Sequence, residues 1–418
     1  MPDREKPRVS AACTVEDRLA IEHRDLVAAA QELVCRAQPD DARANDDDPS
    51  SLHEGRILGR MPIGIGIVGC GGIGSVHAET ARRNGLTVAG AWDIAPERAE
   101  ALVGAHGGRA AASLAELLRM PGVDAVAIAV PNDLHAECAT AALAAGRHVL
   151  LEKPMAMSAA ECDRINAAAA RAGTVLQVGF VCRGAPASAT VKHFIDAGRF
   201  GRIHHIKASL YRRRGIPGLG GWFTTRARSG GGPLIDLGVH VLDLSLHLAG
   251  YPRPLRASGA TWSLFGHPIK DYRYTSMWAG PPKATGTFDV EDAAHALVRC
   301  EGGLTIELNV TWATNMPANS LRDGVAVWGD RAGAWFDVFG SEVTIATEEE
   351  GRLVDVRPLF NADKPMEQAW DAQYAQFVAA VRDGIPPRAS GAQGRTLQAT
   401  IDAIYASADA QREVEVQH

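Results

Sequence analysis

The sequence lacks the features that direct a chain to a metal, a disulfide framework or a nucleic acid. Its seven cysteines are scattered. No two share the close spacing of a zinc or redox site, and the odd number argues against full pairing. The net charge is −6, without the basic excess that a phosphate backbone attracts. We therefore expect reduced thiols, no metal and no nucleic-acid partner.

Apolar runs long enough to cross a bilayer are also missing, and the charged residues 1–17 lack the apolar core of a signal peptide. These features predict a cytoplasmic protein without a membrane partner. Hydrophobic residues make up 46% of the chain and charged residues 22%, as in ordinary globular proteins. Because 418 residues exceed what one hydrophobic core usually serves, two domains are expected.

Residues 1–60 differ from the rest of the chain. Residues 15–37 have the apolar spacing of a helix, and residues 39–49 form an acidic, loop-like stretch. The pattern predicts an N-terminal extension, an amphipathic helix on a flexible tether. An oligomer contact is the alternative interpretation of this segment.

Residues 61–183 alternate between apolar runs and alanine-rich helical stretches such as 133–145 and 158–172. The predicted strands are 63–68, 86–92, 124–130, 148–151 and 175–178. Continuous apolar strands that alternate with helices indicate a parallel sheet covered on both faces. We therefore predict an α/β, doubly wound domain over 61–183.

Residues 184–418 follow a different pattern, in which polar and apolar residues mix along longer strands. These strands are predicted at 203–213, 255–264, 293–300, 304–312 and 325–328, and two helices at 367–382 and 393–411. The short turn at 301–303 joins two neighbours directly, as in a hairpin. We expect an α+β domain with a largely antiparallel open sheet, whose final helices pack back toward the first domain.

A glycine-rich turn, Gly69-Cys-Gly-Gly-Ile-Gly74, directly follows the first predicted strand and opens a helix. Its first glycine permits a tight turn, its second lets the backbone approach a pyrophosphate, and its third lets the helix pack on the strand. The helix N-terminus then offers N–H groups to phosphates. The turn predicts a dinucleotide site with contacts from Gly69, Gly71, Gly72, Ile73 and Gly74.

The choice of dinucleotide depends on Asp93, at the end of the second predicted strand. A carboxylate there accepts hydrogen bonds from the adenosine ribose hydroxyls and repels a 2′-phosphate. Arg98, one turn further on, partly offsets this repulsion. The sequence therefore favours NAD over NADP.

Two further motifs carry chemically active side chains. Lys153, in Glu152-Lys-Pro154, follows the predicted strand 148–151, at the carboxyl end of a parallel strand where ligands of doubly wound sheets gather; alone it is equally compatible with a surface lysine. Asp236, His240 and Asp243 share one face of a predicted helix. A histidine between two carboxylates has the fixed tautomer and raised basicity of a general base. A solvated polar helix face is the alternative.

These motifs, in this order, resemble the glucose–fructose oxidoreductase / inositol dehydrogenase (Gfo/Idh/MocA) family. The resemblance covers nearly everything after Met61. It rests on segments 65–78 (IGIVGCGGIGSVHA), 129–143 (AVPNDLHAECATAAL), 148–158 (HVLLEKPMAMS), 178–183 (VGFVCR), 230–250 (GGGPLIDLGVHVLDLSLHLAG), 290–298 (VEDAAHALV) and 403–416 (AIYASADAQREVEV).

The resemblance implies a Rossmann dinucleotide domain and hydride transfer between the nicotinamide and a substrate carbon. Carried over, Lys153 hydrogen-bonds the reacting oxygen, His240 exchanges the hydroxyl proton, and Asp236 orients and polarises His240. It also implies cofactor contacts from Pro131, Asn132, His135, Glu152 and Lys153. A homo-oligomer, dimer or tetramer, is expected.

The substrate pocket is predicted from strand alternation. Arg183, Lys207, Tyr211 and Arg213 would share one face if residues 203–213 form a strand. Residues 215–224 suggest a lid, with glycines to move and Trp222 to cover a sugar ring. The predicted substrate contacts are Lys153, Arg183, Tyr211, Trp222, Asp236 and His240.

Three functions compete at this stage. A dehydrogenase or ketoreductase of a sugar, sugar derivative or cyclitol is the first. An NAD-dependent glycosidase that acts through transient oxidation is the second. A catalytically idle, dinucleotide-sensing protein is the third, and the intact Lys153, Asp236 and His240 argue against it.

Overall fold

A computed structural model describes residues 62–276, 278–317 and 320–418. They belong to a compact unit, Met61–His418, which contains two β-sheets. The helix predicted at 15–37 and the rest of the N-terminal extension lie outside the described residues. No helix in the described part of the chain is both long and apolar enough to cross a membrane.

The first sheet has six parallel strands in the order β3-β2-β1-β4-β5-β6. Its strands are β1 (Gly64–Val68), β2 (Thr87–Trp92), β3 (Arg109–Ala110), β4 (Ala125–Ile128), β5 (His148–Leu151) and β6 (Leu176–Val178). Every residue of β1 and β4 is buried, because helices cover both faces. The predicted doubly wound fold is confirmed; β3 was missed because it is short and not apolar.

The helices of this half are α1 (Gly72–Arg83), α2 (Pro96–His106), α3 (Leu114–Arg119), α4 (His135–Ala144) and α5 (Ala159–Ala172). Serine side chains cap two of them: Ser113 accepts from the N–H of Glu116, and Ser158 from that of Glu161. Each helix returns the chain to start the next parallel strand, so the loops after β1, β2, β4 and β5 meet at one edge.

The second sheet has nine strands, ordered β14-β13-β12-β11-β7-β10-β9-β8-β15. They are β7 (Ile203–Tyr211), β8 (Pro254–Trp262), β9 (Ala293–Cys300), β10 (Thr305–Thr311), β11 (Gly324–Gly329), β12 (Ala332–Phe336), β13 (Val343–Glu349), β14 (Arg352–Val356) and β15 (Val414–Glu415). Within the described part of this second sheet, β7 and β10 form the only parallel pair, and every other pair is antiparallel. The largely antiparallel sheet is confirmed, although β12 to β15 were missed.

The second half adds α6 (Pro186–Asp196), α7 (Arg226–Ser229), α8 (Val239–Leu248), α9 (Pro365–Asp383) and α10 (Gly391–Ala410). Helix α8 packs on β7 and β10. The last two helices reach the first half: Asp371 of α9 accepts from Arg83 of α1 at 2.9 Å, and Asp402 of α10 accepts from the N–H of Ala159 at 2.9 Å.

Candidate active site

The glycine turn between β1 and α1 has the shape that a dinucleotide phosphate needs. Gly69 has φ 90°, and a Cβ there would lie 2.6 Å from the carbonyl oxygen of Ala129. A Cβ on Gly74 would lie 2.0 Å from the Gly69 oxygen, so both positions require glycine. Gly71 and Gly72 face open space, and no side chain caps the start of α1. The uncapped N–H groups therefore fit a pyrophosphate.

Asp93 is fixed beside this turn by two backbone donors. Its Oδ2 accepts from the N–H of Cys70 at 2.7 Å, and its Oδ1 accepts from that of Ala95 at 2.9 Å. Each carboxylate oxygen keeps a further lone pair for a ribose hydroxyl. Burial, then the charge of Asp93, raises the pKa of the Cys70 thiol to about 12. Ile73, also predicted to contact the cofactor, is 39% exposed at the turn.

The loop after β4 is tied to neighbouring backbone. Asn132 is buried, follows the half-buried Pro131, and donates from Nδ2 to the carbonyl oxygen of Ser229 at 2.8 Å. This bond holds the loop against α7. Asn132 and Pro131 thus lie at the sheet edge that also carries Lys153.

The position of His135 corrects the prediction that it contacts the cofactor. Its Nδ1 lies 2.7 Å from the carbonyl oxygen of Pro154, and its Nε2 lies 3.0 Å from that of Val130. The side chain is 1% exposed. Because both ring nitrogens face backbone carbonyls, His135 braces the loop after β4 against the loop after β5 and positions Lys153 indirectly.

A buried cluster forms around the carboxylate of Asp236. The Nζ of Lys153 lies 3.3 Å from its Oδ1 and 3.2 Å from its backbone oxygen. The indole Nε1 of Trp312 donates to Oδ2 at 3.0 Å, and Nη1 of Arg212 lies 3.9 Å from the same oxygen. Burial alone would raise the pKa of Asp236, but the charges of Lys153 and Arg212 hold it below its usual value.

The interpretation of Asp236 as the orienting partner of His240 needs correction. Within the described residues no hydrogen bond joins them, and the Asp236 oxygens contact Lys153 and Trp312 instead. The turn Leu234–Gly238 is a π-helix, so the side chains do not follow the regular helical spacing assumed from the sequence. The charge of Asp236 still influences His240, but the carboxylate of Asp236 contacts the ammonium group of Lys153.

His240 instead has a sulfur neighbour. Its Nδ1 lies 3.7 Å from Sγ of Cys182. Burial, then the charge of Lys153, lowers the pKa of His240 to about 3, so the prediction of raised basicity is wrong. Burial also raises the pKa of Cys182 to about 12. At neutral pH an uncharged imidazole therefore faces an uncharged thiol.

Glu152 lies next to a histidine that the sequence analysis did not single out. Its Oε1 is 3.3 Å from Nε2 of His77, on α1. The Nδ1 of His77 is 2.8 Å from the hydroxyl of Tyr374, on α9. His77 and Tyr374 are fully buried and Glu152 nearly so. This network ties the glycine-turn helix to the loop that carries Lys153, and it accounts for Glu152 without a direct cofactor contact.

Arg183 was predicted to bind substrate, and its surroundings correct that prediction. Its Nε donates to Oδ2 of Asp243 at 2.8 Å, and its Nη1 donates to Oε1 of Gln393 at 2.8 Å and to the backbone oxygen of Arg388. The side chains of Arg183 and Asp243 are 4% and 0% exposed. Arg183 therefore joins α8 to the start of α10 as a structural residue, and Asp243 is part of that pair rather than a partner of His240.

Tyr211 shares the odd-numbered face of β7 with Lys207, as predicted, but the even-numbered face is the one toward Asp236. The even-numbered Ile206 and Ala208 are fully buried beneath α8, so Tyr211 belongs to the opposite face. Its hydroxyl lies 3.4 Å from Ser209. The next residue, Arg212, continues the even-numbered face and reaches Asp236. A shift of one residue along β7 therefore places Arg212, rather than Tyr211, beside Asp236.

The predicted lid, residues 215–224, packs closely on residues 278–287. A Cβ on Gly218 would lie 2.9 Å from the oxygen of Ala279, and one on Gly220 would lie 2.3 Å from that of Lys283. These glycines permit close packing, whereas the sequence suggested movement. Trp222, the predicted sugar cover, stacks on Phe223 with ring centroids 3.8 Å apart.

Comparisons with known proteins agree with this geometry. The model of an oxidoreductase family with an NAD-binding Rossmann fold matches residues 63–180, and the Gfo/Idh/MocA C-terminal domain matches residues 188–346. Together they match well over half of the chain. The chain belongs to the Gfo/Idh/MocA oxidoreductase family.

Several relatives have named activities. The chain is 28% identical to D-glucoside 3-dehydrogenase of Escherichia coli, over 85% of this chain and 98% of that protein. It is 37% identical to 1,5-anhydro-D-fructose reductase of Ensifer adhaerens, over 39% of this chain but only 49% of that relative. A protein of gentamicin A biosynthesis, solved in complex with NAD, is 26% identical with a TM-score of 0.69 over 89% of this chain and 100% of its own.

Proposed function

We propose that this chain is an NAD-dependent dehydrogenase that interconverts a hydroxyl and a carbonyl on a sugar, sugar derivative or cyclitol. The observation that carries the proposal is the cluster of Lys153, Asp236 and His240 at the sheet edge that also holds the glycine turn. The names of the glucoside dehydrogenase and anhydrofructose reductase relatives support this substrate class. When bound, the nicotinamide accepts or supplies the hydride.

The side chains of the cluster have separable roles. Lys153 offers positive charge to the substrate oxygen as the proton leaves, and Asp236 holds the ammonium group in place. His240 accepts the hydroxyl proton through Nε2, because its Nδ1 faces Cys182. This role requires that His240 Nδ1–H donate to the sulfur of Cys182, which fixes the tautomer with Nε2 free. The low pKa of His240 keeps the ring unprotonated at neutral pH.

NAD is the proposed cofactor over NADP because Asp93 presents both carboxylate oxygens beside the turn. A 2′-phosphate there would meet a negative charge. Cytoplasmic location, assembly into a dimer or tetramer and the absence of a nucleic-acid partner remain predictions from the sequence. Light scattering on the purified chain tests the assembly.

An absorbance assay at 340 nm tests the proposed function. Protein and NAD, or NADP, are incubated with aldoses, anhydrosugars, inositols and glycosides, and NADH formation is expected with at least one of them. Lys153→Met is the matched inactive control. Release of free sugar from glycosides without net NADH would instead indicate a glycosidase, and NAD binding with no turnover of any compound would indicate a sensing protein.

A further inference from the structure

The lid carries an aromatic cluster that extends beyond its own segment. Trp222 stacks on Phe223 with an interplanar angle of 28°. Phe223 meets Trp278 edge-to-face, with ring centroids 5.0 Å apart. Trp278 is 42% exposed, so the cluster presents an open aromatic surface. Such surfaces suit the flat apolar face of a ring.

One side chain connects this cluster to the reacting groups. The guanidinium carbon of Arg212 lies 5.9 Å from the ring centroid of Trp278, and its Nη1 lies 3.9 Å from Oδ2 of Asp236. Asp236 in turn contacts Lys153. The other end of the lid leads through α7 to Ser229, which is bonded to Asn132. The aromatic cluster therefore borders the proposed active site on the side of Arg212.

The aromatic surface is held in place by backbone hydrogen bonds. The N–H of Gly218 donates to the carbonyl oxygen of Trp278 at 3.0 Å, and that of Lys283 donates to the oxygen of Leu219 at 2.8 Å. Thr224 Oγ1 donates to the oxygen of Thr287 at 2.7 Å. A surface fixed before binding loses little conformational entropy when a ligand stacks on it.

The charges at this border favour a neutral ligand. Lys153 and Arg212 share the carboxylate of Asp236. Arg212 also interacts electrostatically with Asp323, although burial raises the pKa of that carboxyl. Lys153 and Arg212 are thus both countered by a carboxylate. Arg212 still carries further N–H donors that can bond hydroxyl groups.

The geometry points to a second subsite, in which the exposed Trp278, braced by Phe223, stacks a ring that is attached to the reacting sugar. The favoured substrates are neutral glycosides that carry a second ring. This inference rests on the proposed function for the reacting sugar, but the subsite is defined by its own contacts. Free monosaccharides would leave the aromatic surface uncovered.

The test compares matched ligands in the full-length enzyme. The free sugar, its methyl β-glycoside and its phenyl β-glycoside are assayed with NAD in the gluco, galacto and manno series. Wild type should show the highest kcat/KM for the phenyl compound in the accepted series. Trp278→Ala should lower the phenyl-to-methyl ratio of kcat/KM by roughly 2- to 12-fold, the size of one aromatic contact.

Trp328→Ala is the control. Trp328 is 40% exposed and packs on His205, at the opposite end of β7 from Arg212, so this variant should leave the ratio unchanged. Equal kcat/KM for the three ligands in wild type, or an unchanged ratio in Trp278→Ala, would overturn the subsite.

Calorimetry separates the subsite from the reaction. If no compound yields NADH, phenyl β-D-glucoside is titrated into the NAD-loaded enzyme. Binding that weakens in Trp278→Ala but not in Trp328→Ala would support the subsite and reject the dehydrogenase. Binding that is absent or equal in all three proteins would overturn the subsite.

Discussion

The buried pair of Arg183 and Asp243 gives the sharpest test of the structure, because the sequence assigned Arg183 to the substrate. Replacement by methionine keeps most of the side-chain volume and removes the charge. It leaves the carboxylate of Asp243, which is 0% exposed, with the hydroxyl of Tyr251 at 3.1 Å as its remaining donor among the residues that the structure describes. Breaking a buried ion pair in this way costs about 3–5 kcal/mol, a large share of the ~5–15 kcal/mol that stabilises a typical domain.

The free energy of unfolding is measured by urea denaturation followed by fluorescence. Arg253→Met is the matched control, since Arg253 pairs with Glu301 at 2.6 Å while their side chains are 52% and 50% exposed. Exposed pairs contribute about 0–1 kcal/mol. We therefore expect Arg183→Met to destabilise the protein by several times more than Arg253→Met.

A double variant isolates the pairwise contribution. Arg183→Met combined with Asp243→Leu leaves no unpaired buried charge, so it should lose clearly less than the sum of the two single variants. If Arg183→Met costs no more stability than Arg253→Met and instead raises KM for the sugar, the structural role is refuted. Arg183 would then contact substrate, as the sequence suggested.

Five further outcomes are expected. Lys153→Met should lower kcat strongly while NAD still binds in a fluorescence titration, and lost NAD binding would contradict this. His240→Ala should lower kcat ~10²–10⁴-fold. The pH profile of the wild-type rate should show no inflection near pH 6.5 that can be assigned to His240 by its loss in this variant. Because burial lowers the pKa of His240 and of His247 to about 3, only the unfolded chain takes up these protons as pH falls from about 6.5. Stability should therefore fall between pH 6.5 and 3, by up to ~1.4 kcal/mol per pH unit for each histidine, and a flat denaturation midpoint over that range would refute it. Asp93→Ser should relax the preference toward NADP, whereas better NADP kinetics in wild type would reject the reading of Asp93. Cys182→Ala should lower kcat by a larger factor than it changes KM, and Cys182→Ser should recover most of the lost kcat. If the two variants lose the same amount of kcat, the side chain of Cys182 does not position His240.

The sequence identified the features that depend on the local chain. The glycine turn, Asp93 and Lys153 each lie at the end of an apolar strand, and parallel strands bring their carboxyl ends to one edge. The prediction of these seven positions, five in the glycine turn together with Asp93 and Lys153, therefore needed only the order of strands and helices. The chemistry of the family followed from the same motifs.

The alternation of side chains along β7 did not predict which face of the strand lies toward Asp236. The pattern is the same whichever of the two faces is buried. Tyr211 and Arg212 are adjacent, and either assignment fits the sequence. The packing of α8 on the face of Ile206 decides that Arg212 faces Asp236. A one-residue shift moves every side chain of a strand to the other face.

The sequence by itself determined the fold class, the dinucleotide turn and the presence of Lys153, Asp236 and His240, because these follow from local periodicity and motif spacing. Only the tertiary structure decided the partners of each polar group. Residues distant in the chain compete for the same donor or acceptor. Arg183 donates to Asp243, and the indole of Trp312 donates to Asp236. Spacing along a helix cannot reveal that competition, because a buried charge goes to whichever partner the packing brings within hydrogen-bond distance.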